Sequence, residues 1–173
     1  MIKYSGNTVN KFAMDSSIMK MYYGGGVAFV GMKEIPKPKK LTVTKTDSSI
    51  ATLDCDSSSV LTREEVTAIT SIQKAVVGSC VTELGDRAFF NNSSITEIDL
   101  PSTITNIGTQ SISHCANVTS IIVRSQFPPT MKSNYFASMS KYTIYVPSES
   151  VDAYKADKYW KDYASKIQAI PNS

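Results

Sequence analysis

The sequence predicts an α/β repeat fold: a short solenoid of about five rungs with a 23-residue period, preceded by a small β-hairpin module. Two observations carry the repeat. An apolar template runs Ile95-Thr96-Glu97-Ile98-Asp99-Leu100, with apolar residues at positions 1, 4 and 6. It recurs 23 residues later as Val118, Ile121 and Val123, and again as Lys141, Ile144 and Val146. Upstream, the same step gives Ile72, Ala75 and Val77, and a 22-residue step gives Ile50, Leu53 and Cys55. Between these stretches a second pattern repeats: Val81-Thr82-Glu83-Leu84-Gly85 then Phe89, and Ile104-Thr105-Asn106-Ile107-Gly108 then Ile112. A fixed period of this size is the signature of stacked units that bury apolar residues only against their neighbours.

Side chains alternate along a strand, so Ile98 and Leu100 are expected to face inward and Glu97 and Asp99 outward. Parallel strands lie about 4.8 Å apart, which makes five rungs a sheet roughly 20 Å wide. Gly85 and Gly108 precede each return segment, where a tight turn is expected to need a permissive backbone.

At the level of motifs, Leu84-Gly85-Asp86-Arg87-Ala88-Phe89-Phe90 through Ile98-Asp99-Leu100-Pro101 resembles a repeat of the BspA-like leucine-rich-repeat family. Ile107-Gly108 through His114-Cys115-Ala116-Asn117-Val118-Thr119-Ser120-Ile121 resembles the next repeat. Ile144-Tyr145-Val146-Pro147-Ser148, then Val151, Tyr154 and Trp160, is similar to that family's C-terminal end. The resemblance covers residues from about 60 to 173. Ser111-Ile112 stands where the family has an Ala-Phe pair. The resemblance implies surface display and binding, and no shared catalytic residues.

Residues 1–32 are expected to form a separate β-rich module, with strands over Ile2–Tyr4, Thr8–Phe12, Ile18–Tyr23 and Val27–Val30. Isolated hairpins are marginal in water, so the module needs a partner: its own copies, a larger assembly, or the solenoid. Tyr4, Phe12, Met21, Tyr23 and Phe29 are the candidate assembly contacts. The spacing in Tyr4–Lys11, together with Ile18–Gly24 and Val27-Ala28-Phe29, resembles N-terminal segments of virion structural proteins from phages of Bacteroides-type bacteria. Residues 33–40, with Pro36 and Pro38 among lysines, read as a solvated extended linker.

From Leu41 the solenoid begins, with Leu41 and Val43 on a strand that covers the open sheet edge. Thr62-Arg63-Glu64-Glu65 fits a capping box and predicts a short helix to about Ala68. Over 148–165 a helix-like segment with Val151, Tyr154, Tyr159, Trp160 and Tyr163 is expected to cap the stack, with Trp160 in the cap core.

Composition sets bounds. The chain has 173 residues, room for one ordinary domain and a small module, and 42% hydrophobic residues, which is globular. A net charge of +3 is too mild to argue for nucleic acid, and no apolar run is long enough to insert in a membrane. Met1–Asn7 lacks the charged-then-apolar profile of a signal peptide.

Candidate chemistry is sparse. His114 stands beside Cys115, but adjacent turn residues seldom converge on one substrate, so Cys115 is expected to be a buried thiol. Cys55, Cys80 and Cys115 offer no zinc spacing, and free thiols are expected, a Cys55–Cys80 bridge being the less favoured arrangement. Gly24-Gly25-Gly26 lacks the companions of a phosphate loop and reads as a turn. Asp47, Asp54 and Asp56 lack the rest of a calcium loop. Asn92-Ser93-Ser94 and Asn117-Val118-Thr119 fit a glycosylation pattern, which turn-forming asparagine explains without sugar. No cofactor or metal is expected.

What remains is surface. The outward strand positions are expected to present Lys74, Glu97, Asp99, Ser120, Ile122, Tyr142 and Tyr145 as one polar face with an aromatic end. Repeat proteins commonly bind along such a face. The expected function is that of a non-enzymatic phage virion structural protein, a fibre, tail or capsid decoration. It would contact its own copies or other virion proteins through residues 1–32 and a bacterial surface protein or glycan through the repeats. The alternative is a bacterial cell-surface adhesin-type repeat protein without its signal peptide.

Overall fold

The computed structural model describes the backbone of residues 3–4, 7–8, 12–15, 18–23 and 26–28, and the full residues 36–132 and 136–171. The chain divides into two compact units, Met1–Lys37 and Pro38–Ser173. In the first, β1 (Lys3–Tyr4) pairs antiparallel with β2 (Asn7–Thr8). β3 (Phe12–Asp15), β4 (Ile18–Tyr23) and β5 (Gly26–Ala28) form an antiparallel sheet in sequence order. The expected Thr8–Phe12 strand is therefore divided between β2 and β3. Tyr4, Phe12, Met21 and Tyr23 lie on these strands, and Phe29 lies outside the described residues.

The second unit opens with an antiparallel pair. β6 (Lys39–Lys45) turns at Thr46–Ser49 into β7 (Ile50–Asp54), and the other side of β6 pairs antiparallel with β9 (Ile72–Val77). Two expectations change here. Ile50–Cys55 is not a parallel rung but the outermost strand of a hairpin, with Ile50 70% exposed. Lys39 and Lys40 belong to the strand rather than to a solvated linker. Apolar periodicity cannot tell a parallel rung from an antiparallel edge, because both alternate with period two.

Between β7 and β9 lie β8 (Val60–Leu61) and the helix α1 (Arg63–Thr67). The capping box forms as expected: the Thr62 side chain accepts from the Glu65 amide, and the Glu65 carboxylate accepts from the Thr62 amide. The repeats follow as β10 (Glu83–Leu84), β11 (Glu97–Leu100), β12 (Asn106–Ile107), β13 (Ser120–Val123), β14 (Thr130–Met131) and β15 (Thr143–Val146). The long strands stack in parallel in the order β15-β13-β11-β9, with Thr143, Ser120, Glu97 and Lys74 in register. The short strands stack in a second parallel sheet, β14-β12-β10-β8. The 23-residue step is thus the backbone register of the long strands and of β8, β10 and β12, and β14 follows β12 at 24.

Inward columns build the core. Val43, Ala75, Ile98, Ile121 and Ile144 form one, and Leu41, Val77, Leu100, Val123 and Val146 the next, all buried. Gly85 and Gly108 serve a different purpose from the expected one. Neither needs a left-handed backbone; a Cβ on Gly108 would lie 2.7 Å from the Asp86 amide nitrogen of the rung before. The left-handed positions fall instead on Arg87, Asn91, Gln110 and His114.

At the C-terminal end, a 3₁₀ turn (Ser148–Ser150), α2 (Val151–Ala156) and a second 3₁₀ segment (Lys161–Lys166) lead into β16 (Ile167–Ala169). β16 pairs parallel with β15, Ile167 opposite Ile144, and so adds one more strand at the same step. Trp160 is fully buried, as the cap reading expects, with Nε1 donating to the Pro129 carbonyl at 2.8 Å.

Two features fasten the N-terminal edge. Cys55 and Cys80 form a disulfide, contrary to the expected free thiols. β7 and β9 both run antiparallel to β6, so their C-terminal ends emerge together on either side of Lys39 and Lys40. The Cys55 amide donates to Pro38 O and the Gly78 amide to Lys40 O, which draws both overhangs over that strand. Beside the bridge, the fully buried Lys40 donates to Glu65 at 2.7 Å and Asp56 at 3.1 Å. Burial works against the Lys40 charge, but its hydrogen bonds to Glu65 and Asp56 outweigh that and hold its pKa above the ordinary value. The bond from Lys40 holds Asp56 below the usual carboxylate range.

Closing a 25-residue separation by disulfide contributes about 3.5 kcal/mol in the chain-entropy account. The Cys55→Ser/Cys80→Ser double variant is expected to melt roughly 10 °C lower. Equal melting of the two proteins in a calorimetric scan would exclude the bridge. The ion cluster predicts a pH dependence. Asp56, depressed in the fold, contributes stability above its unfolded pKa that is lost as pH falls through the folded one. Lys40, raised in the fold, contributes below its unfolded pKa, and that part is lost only as pH rises through the folded value in the alkaline range. Urea titrations should therefore show stability falling below about pH 4, with a shallower fall in Lys40→Met. Identical acid limbs would refute the coupling.

Candidate binding face

The outward side chains of the central strands stand in two rows fixed by strand register. One row runs Ile50, Thr44, Lys74, Glu97, Ser120 and Thr143. The other runs Thr52, Thr42, Val76, Asp99, Ile122, Tyr145 and Gln168. Of the residues expected on this face, Lys74, Glu97, Asp99, Ser120, Ile122 and Tyr145 are brought together there.

Tyr142 is the exception. It precedes β15 rather than lying on it, and it is only 7% exposed. Its ring packs 5.4 Å from Phe136 and lies beneath the Lys166 ammonium. Burial pushes its hydroxyl up to about 12, with Tyr163 adding to the shift. The aromatic end of the face is therefore Tyr145 alone. The template could not separate Tyr142 from Tyr145, because position 2 lies where the chain is still turning into the strand.

Charge on the face is internally paired. Lys74 Nζ lies 3.6 Å from Glu97 Oε2. Arg124, which the sequence reading passed over, grips Asp99 with Nε to Oδ1 at 2.8 Å and Nη2 to Oδ2 at 2.7 Å. Donating these hydrogen bonds to the Asp99 carboxylate holds the Arg124 pKa above its ordinary value. This two-pronged contact explains why Asp99 is buried although it points outward. The signal was present in the sequence: Arg124 immediately follows β13, one strand over from Asp99. With the charges matched, uncharged side chains remain, and the apolar ones among them are Ile50, 70% exposed, Val76, 47% exposed, and the half-buried Ile122 and Tyr145.

The other singled-out residues have ordinary partners. Cys115 is buried, its thiol donating to Phe89 O at 3.1 Å, and burial pushes its pKa up to about 11, the reverse of an activated nucleophile. The His114 ring packs against Phe90 at 4.9 Å. Asp47 accepts from Ser49, Asp54 pairs with Lys39 and Asp56 with Lys40. Among the described residues no three potential ligands gather to hold a metal, and no helix is long and apolar enough to cross a membrane. Asn117 donates through Nδ2 to Ser93 O at 2.7 Å, tying one repeat to the previous one. Gly24 and Gly25 lie outside the described residues.

Parallel strands stepping by a constant register, one solvent-facing sheet surface and a capped end define a repeat protein whose units stack edge to edge. The family model of the BspA type leucine rich repeat region matches residues 61–162 in six copies, and the chain belongs to that family. No curated protein matches the chain.

Removing Arg124 leaves the Asp99 carboxylate mostly buried without its counter-charge. Arg124→Ala is expected to destabilise by about 1–3 kcal/mol, and Asp99→Asn in the same background to recover part of the loss. Additive losses in urea denaturation would show that the pair is not coupled.

Proposed function

We propose that this chain is a non-enzymatic recognition protein that holds its ligand on the outer face of the seven-stranded sheet. One observation carries the reading: Val76, Ile122 and Tyr145 stand in one row while the neighbouring charges neutralise one another. Protein interfaces have this make-up, with unpaired charge depleted at the centre and tyrosine enriched. Membership of a leucine-rich-repeat family supports the same use, a protein or a glycan being the partner.

The finer reading is a phage virion structural protein, a fibre, tail or capsid decoration. In it residues 1–32 bind other virion proteins or their own copies, and the repeat solenoid faces a bacterial surface protein or glycan. Short antiparallel strands grouped in a unit of their own support it, as does the N-terminal resemblance. The second reading, a bacterial cell-surface adhesin, is favoured by the Cys55–Cys80 bridge, because disulfides persist in oxidising surroundings.

Mass spectrometry of purified phage particles and of the surface fraction of the producing bacterium separates the two: recovery in only one compartment decides. For the face itself, Tyr145→Ala and Ile122→Asp are expected to weaken retention on target cells by about 30-fold, the size of a hot-spot loss. Retention unchanged by both substitutions would place recognition elsewhere.

A further inference from the structure

From the second repeat on, the turns opposite the main sheet stack by backbone hydrogen bonds. The amides of Arg87, Phe89 and Asn91 donate to the carbonyls of Thr109, Ser111 and Ser113 at 2.9, 2.7 and 3.1 Å, and the His114 amide donates to Ala137 O at 2.9 Å. The first repeat breaks this pattern. Its turn is the helix α1, whose Val66 and Ala68 amides are spent on Thr62 O and Glu64 O. The carbonyls of the second turn meet a side chain instead: Arg63 Nη1 donates to Arg87 O at 3.1 Å and to Phe90 O at 3.3 Å. Between the helix with its 69–71 exit and the 88–94 turn, a cleft of about 340 Å³ stays open.

The chemistry of this cleft is one-sided. Among the described residues Arg63 is the only ionisable one lining it, and no carboxylate does. Arg63 has no acidic partner among the described residues, and its Nε and Nη2 have no acceptor there. Arg87 adds a second positive charge nearby: both guanidinium groups lie over the Phe90 ring, at 5.4 and 5.5 Å. The rim carries the hydroxyl and amide groups of Thr70, Ser71, Asn91, Asn92 and Ser93.

We infer that this cleft binds a carboxylate-bearing sugar, with Arg63 taking the carboxylate and the hydroxyl and amide rim taking the ring hydroxyls. A guanidinium presents two donors to a carboxylate in a fixed fork. A small inorganic anion would leave the rim donors unused. The volume sits at the small end of ligand pockets, the size for one or two rings. The site lies on the turns and not on the sheet face, and so does not depend on the recognition surface proposed above.

Calorimetric titration of the full chain with N-acetylneuraminic acid, glucuronic acid and neutral glucose tests it. Because Arg63 also closes the second turn, the diagnostic variant is Asn91→Asp, which sets a like charge at the rim. Asn91 is exposed at φ 60°, a conformation aspartate tolerates, so the fold and its melting temperature are expected to hold. Both acids should bind, glucose at least about tenfold more weakly, and Asn91→Asp should lose about tenfold for the acids. Binding of one acid alone supports the site and identifies its source, sialic or uronic. The inference fails if neither acid binds, if glucose binds equally, or if Asn91→Asp binds as tightly as the parent. It also fails if a short peptide with a free C-terminus outcompetes both acids. Tyr145→Ala should leave the titration unchanged, which separates this site from the sheet face.

Discussion

Backbone hydrogen bonding between each repeat and the next, held at a 23-residue step in the long parallel strands, is the constraint on which the rest of the structure depends. In the middle of the stack it operates on three sides of a unit: in the long strands, in the short strands and in the opposite turns. Threonine side chains reinforce it, Thr96 donating to Gln73 O, Thr119 to Thr96 O and Thr105 to Thr82 O. A register this heavily fixed leaves little freedom for side-chain placement. Apolar side chains must stack on apolar side chains inside, and whatever stands outside must tolerate a neighbour about 4.8 Å away. The close approach explains Gly108 too, since a methyl group there would meet the backbone of the rung before.

Stacking of this kind has no internal reason to stop, so each end needs its own device. At the start, the chain reverses: β6 and β7 run antiparallel, a disulfide binds their far end to β9, and the buried Lys40 bonds both Asp56 and Glu65 in the same corner. At the other end, Trp160 and Tyr154 pack edge to face, and their polar tips bond the carbonyls of the 125–129 loop. β16 then supplies one last strand before the chain leaves the sheet.

These terminal devices also shape the surfaces. In the middle of the stack, the matched charges of Asp99 and Arg124 leave Val76, Ile122 and Tyr145 as apolar features of the sheet face. At the start, the exchange of a turn for α1 interrupts the backbone ladder, and Arg63 is drawn in to cover the exposed carbonyls. Regularity makes the broad face, and its interruption makes the cleft.

The apolar template determined the repeat, its period and the inward residues of the parallel strands, and the motif over Leu84–Pro101 carried the resemblance to the family. The capping box at Thr62 and the burial of Trp160 were equally legible. These features are local, or recur at a fixed spacing, and so leave a trace along the chain. Strand direction leaves none, which is why Ile50–Cys55 reads as a rung and becomes an antiparallel edge, and why its cysteine meets Cys80. The same holds for Lys40, solvated by composition yet enclosed by two carboxylates from other segments, and for Tyr142, which turns under Lys166. The strand at Ile167 kept the 23-residue step but was hidden by the helical segment before it. Only the tertiary structure decided these, because each depends on which distant backbone lies alongside, and a side chain's surroundings are set by that neighbour rather than by its place in the sequence.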